Sequence, residues 1–337
     1  MREALAPILR CPACGQGGDW ALDARTRDER EVREGTLRCA SCGAERPVEH
    51  GIVDMLADPP EFVVREAAGL GRFAETMRND GWDRERILSL PDVDLGYWYG
   101  QAIGMEQVLK SPQTRPLLKP GARIVDVGSN TCWASAKLAQ AGLDVVALDI
   151  TTHEMQGLRT ADWWMDDRDI YFERVLGVMF DLPFADASLD LIFCSEVLHH
   201  NHASNLRATF REFERVLKPG GTVIVINEPL RTVLRPNLHP GREVASYEGH
   251  EHVYTRPSYV RAARGAGLDV ELLGPWTVGM FGGAPWAITP ETPTSTALRA
   301  GLAQGVRRNR VLRRAFLAYK SLVVGEVSLY MTATKPA

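Results

Sequence analysis

The stretch from Arg123 to Ile150 constrains this chain most. It reads Arg-Ile-Val-Asp-Val-Gly-Ser-Asn-Thr-Cys, then a helix-like segment from Trp133 to Ala141, then Val-Val-Ala-Leu-Asp-Ile at 145–150. A short apolar run ends in Asp126 and turns at Gly128. A second apolar run ends in Asp149, 21 residues after that glycine. This is the layout of a nucleoside-binding βαβ unit, in which the glycine permits close backbone approach and the later acid takes ribose hydroxyls. Only Gly128 of the usual glycine series is present; Asn130 and Cys132 hold the later small positions. Asn tolerates left-handed backbone angles, so the turn still forms. A pyrophosphate needs a second close approach at a glycine, so a ligand without one fits better. Of the two chemistries such a unit serves, hydride and methyl transfer, the surrounding residues choose.

The alternation continues downstream. Apolar runs place strands at 123–127, 144–149, 172–178, 189–195 and 222–227, with helices near 132–141, 153–165 and 203–217. Such connections imply a mostly parallel, doubly wound α/β sheet with helices on both faces. A further helix is expected over 257–267, a strand over 268–273 and a last strand over 327–334, with an insertion at about 275–324 between the two strands. Residues 59–118 read as amphipathic helices broken by Pro91 and Pro112. The division is therefore 1–58, 59–118 as a helical linker or lid, and 119–337.

Residues 1–58 read as a small unit whose charged middle, Asp23 to Glu34, contains too little apolar matter for a core of its own, and the cysteines supply the staple. Cys11 and Cys14 form one C-x2-C pair and Cys39 and Cys42 another, 24 residues apart, each followed by a glycine. Each pair can form a knuckle holding half of a tetrahedral zinc, and four thiolates leave no open position, so the metal is structural. The remaining two cysteines, Cys132 and Cys194, sit alone in apolar surroundings and read as packing residues. With no signal-like start and no long apolar run, the expected compartment is the cytoplasm and no membrane span is expected.

The run CPACG…LRCASCG…RPVEHGIVDML over 11–56 resembles the zinc-ribbon module of the small activator subunit of tRNA and protein methyltransferases, and the ribbon that opens certain rRNA guanine methyltransferases. VMFDLPFADASLDLIFCSEVLHH at 178–200 and LKPGGTVIVINEP at 217–229, taken with 123–149, resemble the class I S-adenosylmethionine-dependent methyltransferases over about 116–275 plus the final strand. The resemblance implies a Rossmann-like, seven-stranded sheet with a small N-terminal zinc ribbon, and an S-adenosylmethionine cofactor beside a structural Zn2+. It sets Asp126, Gly128 and Asn130 against the methionine and ribose parts of the cofactor. Asp149 and its neighbour Ile150 fall at the ribose, Met179 and Phe180 around the adenine, Asp181 at its amino group, and Glu196 at the sulfonium. The family often has an acid where this chain has Val178, a departure that puts the adenine contacts in doubt.

A methyl acceptor with a hydroxyl needs a base. His199 and His200 follow the fourth strand, Asn227 and Glu228 the fifth, and His250-Glu251-His252 lies further on; His199, His200 and His252 are the candidates. Tyr97, Trp98, Tyr99, Trp163 and Trp164 are candidates to cap the cofactor or stack on a flat acceptor. The basic run 306–320 is amphipathic. The expected reaction is O- or N-methylation of a small-molecule or sugar-containing (glycan) acceptor. RNA base methylation is the alternative that the ribbon suggests, yet 1–58 holds 8 Arg against 11 Asp and Glu, a poor match for phosphate. A non-enzymatic zinc adaptor is the third reading.

Overall fold

The computed structural model describes residues 1–93, 96–202, 204–230, 242–244, 249–273, 309, 311 and 328–337. The insertion expected at 275–324 and the basic run 306–320 lie outside the described residues, Asn309 and Val311 apart. The N-terminal part has strands β1 (Trp20–Arg27), β2 (Val32–Cys39), β3 (Glu45–Glu49) and β4 (Ile52–Asp54). Helices α1 (Glu61–Asn79), α2 (Arg84–Leu88) and α3 (Gly96–Lys110) follow, interrupted near Pro91 and ending before Pro112 as the sequence requires. Then come β5 (Arg123–Val127), α4 (Trp133–Gln140), β6 (Asp144–Asp149), α5 (Thr160–Arg168), β7 (Glu173–Leu176), β8 (Leu189–Ser195), α6 (Leu206–Val216) and β9 (Leu217–Glu228). A short hairpin of β10 (Arg242–Val244) and β11 (Gly249–Glu251), α7 (Arg256–Gly265), β12 (Asp269–Leu272) and β13 (Leu329–Thr334) complete the order.

One sheet has the order β1-β2-β3-β4-β7-β6-β5-β8-β9-β13-β12. The run from β4 through β7, β6, β5 and β8 to β9 is parallel, and β13 and β12 close the far edge antiparallel. The seven strands expected from residue 123 onward are there, but the sheet does not stop at seven. Val53 pairs with Val175 and Asp54 with Leu176, and Met55 N–H donates to the Leu176 carbonyl at 3.0 Å. The N-terminal strands thus continue the ladder, giving eleven strands and covering what would be an open edge at β7. Helix α5 begins at Thr160 rather than near 153, because the His153 ring accepts from the Met155 and Gln156 N–H groups and holds a turn there.

Alternation along the strands builds a core on each face. Ile124, Val145, Ala147, Leu191, Phe193 and Ile224 pack under α3, α4 and α5, while Val125, Val127, Val146, Leu148, Ile192 and Val223 pack under α6 and α7. Helix α6 shows why: Leu206, Phe210, Phe213 and Val216 recur at helical spacing and are all buried. Helix α3 seats on the end of β9 with no spare room, since a Cβ on Gly104 would stand 2.7 Å from Asn227 Nδ2. Among the described residues no helix is long and apolar enough to cross a membrane.

Candidate active site and metal centre

The carboxyl ends of β5, β6 and β8 open into one cavity of about 490 Å³. Asp126 ends its strand there, 2 % exposed, and accepts from Ser135 Oγ at 2.6 Å; burial raises its carboxyl to about 7 despite that bond. Asp149 stands on the adjacent strand. Its Oδ2 accepts from Asn130 N–H at 2.8 Å, and its Oδ1 from Ile150 and Thr151 N–H at 2.8 and 3.2 Å. Burial again dominates, raising Asp149 to about 6 against those three donors. Gly128 adopts φ +70°, and a Cβ on it would meet Val197 Cγ2 at 2.2 Å. The glycine is therefore demanded by close packing of the β5 and β8 turns as well as by the turn itself. Asn130 and Cys132 take left-handed angles of φ 47° and 56°. The turn forms without the later glycines, as the sequence indicates.

Ile150, Met179, Phe180 and Glu196 also line the cavity, Glu196 with φ 52°. Val178 joins them, held in a tight turn by its bridge to Asp181. Asp181 does not line this cavity. Its half-exposed carboxylate pairs with Arg10 of the N-terminal part, and Arg10 N–H donates to Pro183 O at 3.0 Å. The adenine-side loop is thus tied to residues 8–10.

The histidines separate. His199 and His200 both line the cavity, on the short 3-10 turn after β8, with ring centres 4.3 Å apart. His199 Nδ1 lies 2.8 Å from Glu228 Oε1, and Glu228 is fully buried. The same carboxylate accepts the Val197, Leu198 and His199 N–H groups at 3.1, 3.2 and 2.6 Å and Tyr259 Oη at 3.2 Å. Burial works against its ionisation, but the His199 imidazole and these N–H groups hold it below the usual range. With Nδ1 committed to Glu228, proton exchange with a ligand falls to His199 Nε2. His200 Nδ1 stands 2.6 Å from Glu66 Oε1, a buried carboxylate on α1. His252 does not line the cavity; its N–H donates to the His199 carbonyl at 2.6 Å and its ring meets His202 at 5.3 Å. The side chains of His250 and Glu251 lie outside the described residues.

The wall opposite the strand ends comes from 60–101. Phe62, Phe73, Trp82, Trp98 and Gln101 line it, and Trp98 bridges Trp82 at 6.0 Å and Trp133 at 6.2 Å. Trp163 and Trp164 do not line the cavity; Trp164 Nε1 donates to Thr131 O at 3.0 Å. The side chains of Tyr97 and Tyr99 lie outside the described residues. Glu66, Gln101, Trp82 and Trp133 were not singled out from sequence. Gln101 carried one signal, as an isolated amide in the apolar run GYWYGQAIGM; its Oε1 accepts from Ser195 Oγ at 3.0 Å and Asn227 Nδ2 at 2.9 Å.

The four paired cysteines converge. Their sulfurs all lie within 4.8 Å of one another, with Cys11–Cys42 and Cys14–Cys39 at 3.8 Å. A tetrahedral ion with metal–sulfur distances of about 2.3 Å sets its sulfurs ~3.8 Å apart, so the donor set fits zinc. Matching turns make the two knuckles: Gly15 N–H donates to Cys11 O and Gly43 N–H to Cys39 O, both at 2.8 Å, and both glycines have φ near +75°, at +74° and +77°.

Residues 125–225 match a family described as a methyltransferase domain. A demethylmenaquinone methyltransferase of Corynebacterium glutamicum is 34 % identical over 125 residues, covering 37 % of this chain and 50 % of that protein. A 27-O-demethylrifamycin SV methyltransferase of Amycolatopsis mediterranei is 29 % identical over 187 residues, covering 52 % of this chain and 66 % of that protein. The chain thus spans about half the length of the Corynebacterium relatives it matches. Among solved structures, a complex between the Haloferax volcanii Trm112 methyltransferase activator and the putative methyltransferase is similar at a TM-score of 0.49 and 21 % identity, covering 83 % of this chain and all of that one.

Proposed function

We propose that this chain, whose residues 125–225 form a class I methyltransferase domain, uses S-adenosylmethionine to methylate a small-molecule acceptor on oxygen or nitrogen. The observation that carries the reading is the pair of buried carboxylates, Asp126 and Asp149, on adjacent parallel strands in the cavity that His199, held from behind by the buried Glu228, also lines. When bound, the cofactor would supply a methyl group already activated on a sulfonium. Asp149 would receive the ribose hydroxyls, beside Ile150 and Asn130. Asp126 and the Gly128 turn would face the methionine portion, Met179 and Phe180 the adenine, and Glu196 the cationic sulfur.

The protein's remaining work is to orient the acceptor, exclude water and take a proton. Orientation supplies several kcal/mol of barrier lowering. His199, held by Glu228, is the base we assign; His200, held by Glu66, stands beside it. The four cysteines would hold a structural zinc with no position open for chemistry. We retain 1–58, 59–118 and 119–337 as the functional division: zinc module, cavity wall and catalytic domain. Calorimetry of S-adenosylmethionine against the full chain tests the reading, with labelled methyl transfer into a small-molecule extract and into bulk RNA alongside. Cofactor binding and label in the small-molecule fraction are expected. Absence of cofactor affinity would refute the enzyme, and label confined to RNA would refute the acceptor class.

A further inference from the structure

The wall from 60–101 narrows the acceptor. Five aromatic rings line the cavity from that segment and the start of α4: Phe62, Phe73, Trp82, Trp98 and Trp133. The Trp98 ring stands edge-on to Trp133, at 90°, and tilted at 53° to Trp82, so the indoles form a contiguous surface rather than isolated contacts. Charge is equally one-sided. The described lining residues include five carboxylates, among them Glu66 and Asp80 on the wall side, and no Lys or Arg. An acceptor bearing phosphate or carboxylate finds no Lys or Arg to pair with among the described lining residues. A planar aromatic ring can offset-stack on these indoles, which a puckered sugar ring does less completely.

The base sharpens the choice. A phenol such as tyrosine's gives up its proton at about pH 10, whereas a hydroxyl that titrates like water does so only at about 15.7, so the phenol is by far the easier proton for an imidazole to take. Proton transfer in the transition state is efficient for the first and poor for the second.

We propose that the acceptor is an uncharged hydroxylated aromatic ring, stacked on the Trp98 surface and methylated at its phenolic oxygen with His199 as the base. The assignment rests on the methyltransferase reading above. In the step, the phenolic O–H gives its proton to His199 while the new O–CH3 bond forms. The carbon–sulfur bond of the sulfonium breaks, and sulfur keeps the electron pair as a neutral thioether.

The test titrates the full chain, holding the demethylated cofactor, with catechol, 3,4-dihydroxybenzoate and methyl β-glucoside, reading tryptophan fluorescence, and follows methyl transfer to each. Catechol is expected to quench and to be methylated, the benzoate to bind at least about tenfold more weakly, and the glucoside to do neither. Trp98→Leu should weaken catechol about tenfold and leave the calorimetric cofactor affinity unchanged. Preference for the benzoate or the glucoside, binding of none of the three, or a Trp98→Leu chain that holds catechol as before would each overturn the proposal while cofactor binding persists. Loss of cofactor binding in the unaltered chain would overturn the methyltransferase reading itself.

Discussion

At the scale of single residues, the proposed chemistry rests on two acids and one histidine, and their environments set the pH dependence expected of it. In the proposed site Asp149 accepts the ribose hydroxyls most strongly as a carboxylate, and burial raises it to about 6. Cofactor affinity should therefore be complete above that value and fall as pH drops through it, by up to about tenfold per unit. Calorimetry between pH 5 and 8 should show this slope, and Asp149→Asn should bind weakly with a flat profile. For the empty protein the sign is opposite. Asp126 and Asp149 are raised above their unfolded values, so their contribution to stability is complete below about pH 4 and is lost as pH rises through 6 and 7. The histidines give a second prediction. His199→Ala should lower kcat by ~10²–10⁴-fold with cofactor affinity intact, because its ring faces the cavity and is held by Glu228. His252→Ala should change kcat by less than about twofold, since its contact with His199 is through backbone. Equal losses in both would move the base away from the 3-10 turn.

At the scale of elements, the joint between the N-terminal hairpins and the α/β part is ionic at its centre. Arg174 on β7 is completely buried, pairs with the equally buried Glu31 carboxylate before β2, and reaches Asp162 on α5 at 3.0 Å; Arg33 on β2 also contacts Glu31 and Asp162. Removing one partner leaves an uncompensated buried charge. Arg174→Met or Glu31→Leu alone should therefore cost about 3–5 kcal/mol in urea unfolding, the second also stripping the buried Met1 amino group of its carboxylate partner at 2.8 Å. Burial pushes Glu31 up, but Arg174 overrides this and holds it at about 2, below its unfolded value. That stability is present above about pH 4.5 and is lost as pH falls toward 2. None of this joint was legible in the sequence, because Glu31 and Arg174 lie 143 positions apart and β4 pairs with β7 through only two residues. What was legible is what local period writes. The β5–turn–β6 unit, the strand ends carrying Asp126, Asp149 and Glu196, and the knuckle spacing all follow from patterns within about thirty residues. Glu66 was hidden because a carboxylate on an amphipathic helix reads as solvated until the helix is placed over a cavity.

At the scale of the whole molecule, the sheet makes a statement about cooperativity. Val32, Leu37, Val48 and Val53 of the N-terminal part belong to the same buried cluster as Val125, Val146, Phe184 and Phe210 of the α/β part. The ladder runs without interruption from β1 to β12, and Leu9 bridges Phe184 in the loop that leads into β8. Two units with separate cores would unfold separately; units that share a core and a buried ion pair should not. Calorimetric scanning should accordingly give one transition. An ion held by the four cysteines is bound only in the folded state, so its removal by a chelator should lower that single transition as a whole. A stabilisation of each 1 kcal/mol corresponds to only about 2–4 °C or less in a chain this long, so the shift is best followed against a zinc titration rather than at one concentration. Cys14→Ser should reproduce the chelator effect and make the transition insensitive to added zinc. A low-temperature step that zinc alone moves, followed by an unchanged main transition, would show instead that the module melts by itself. In that case the loop carrying Met179 and Phe180, tied to Arg10 through Asp181 and Pro183, would lose its brace first, and cofactor affinity should drop within the first step.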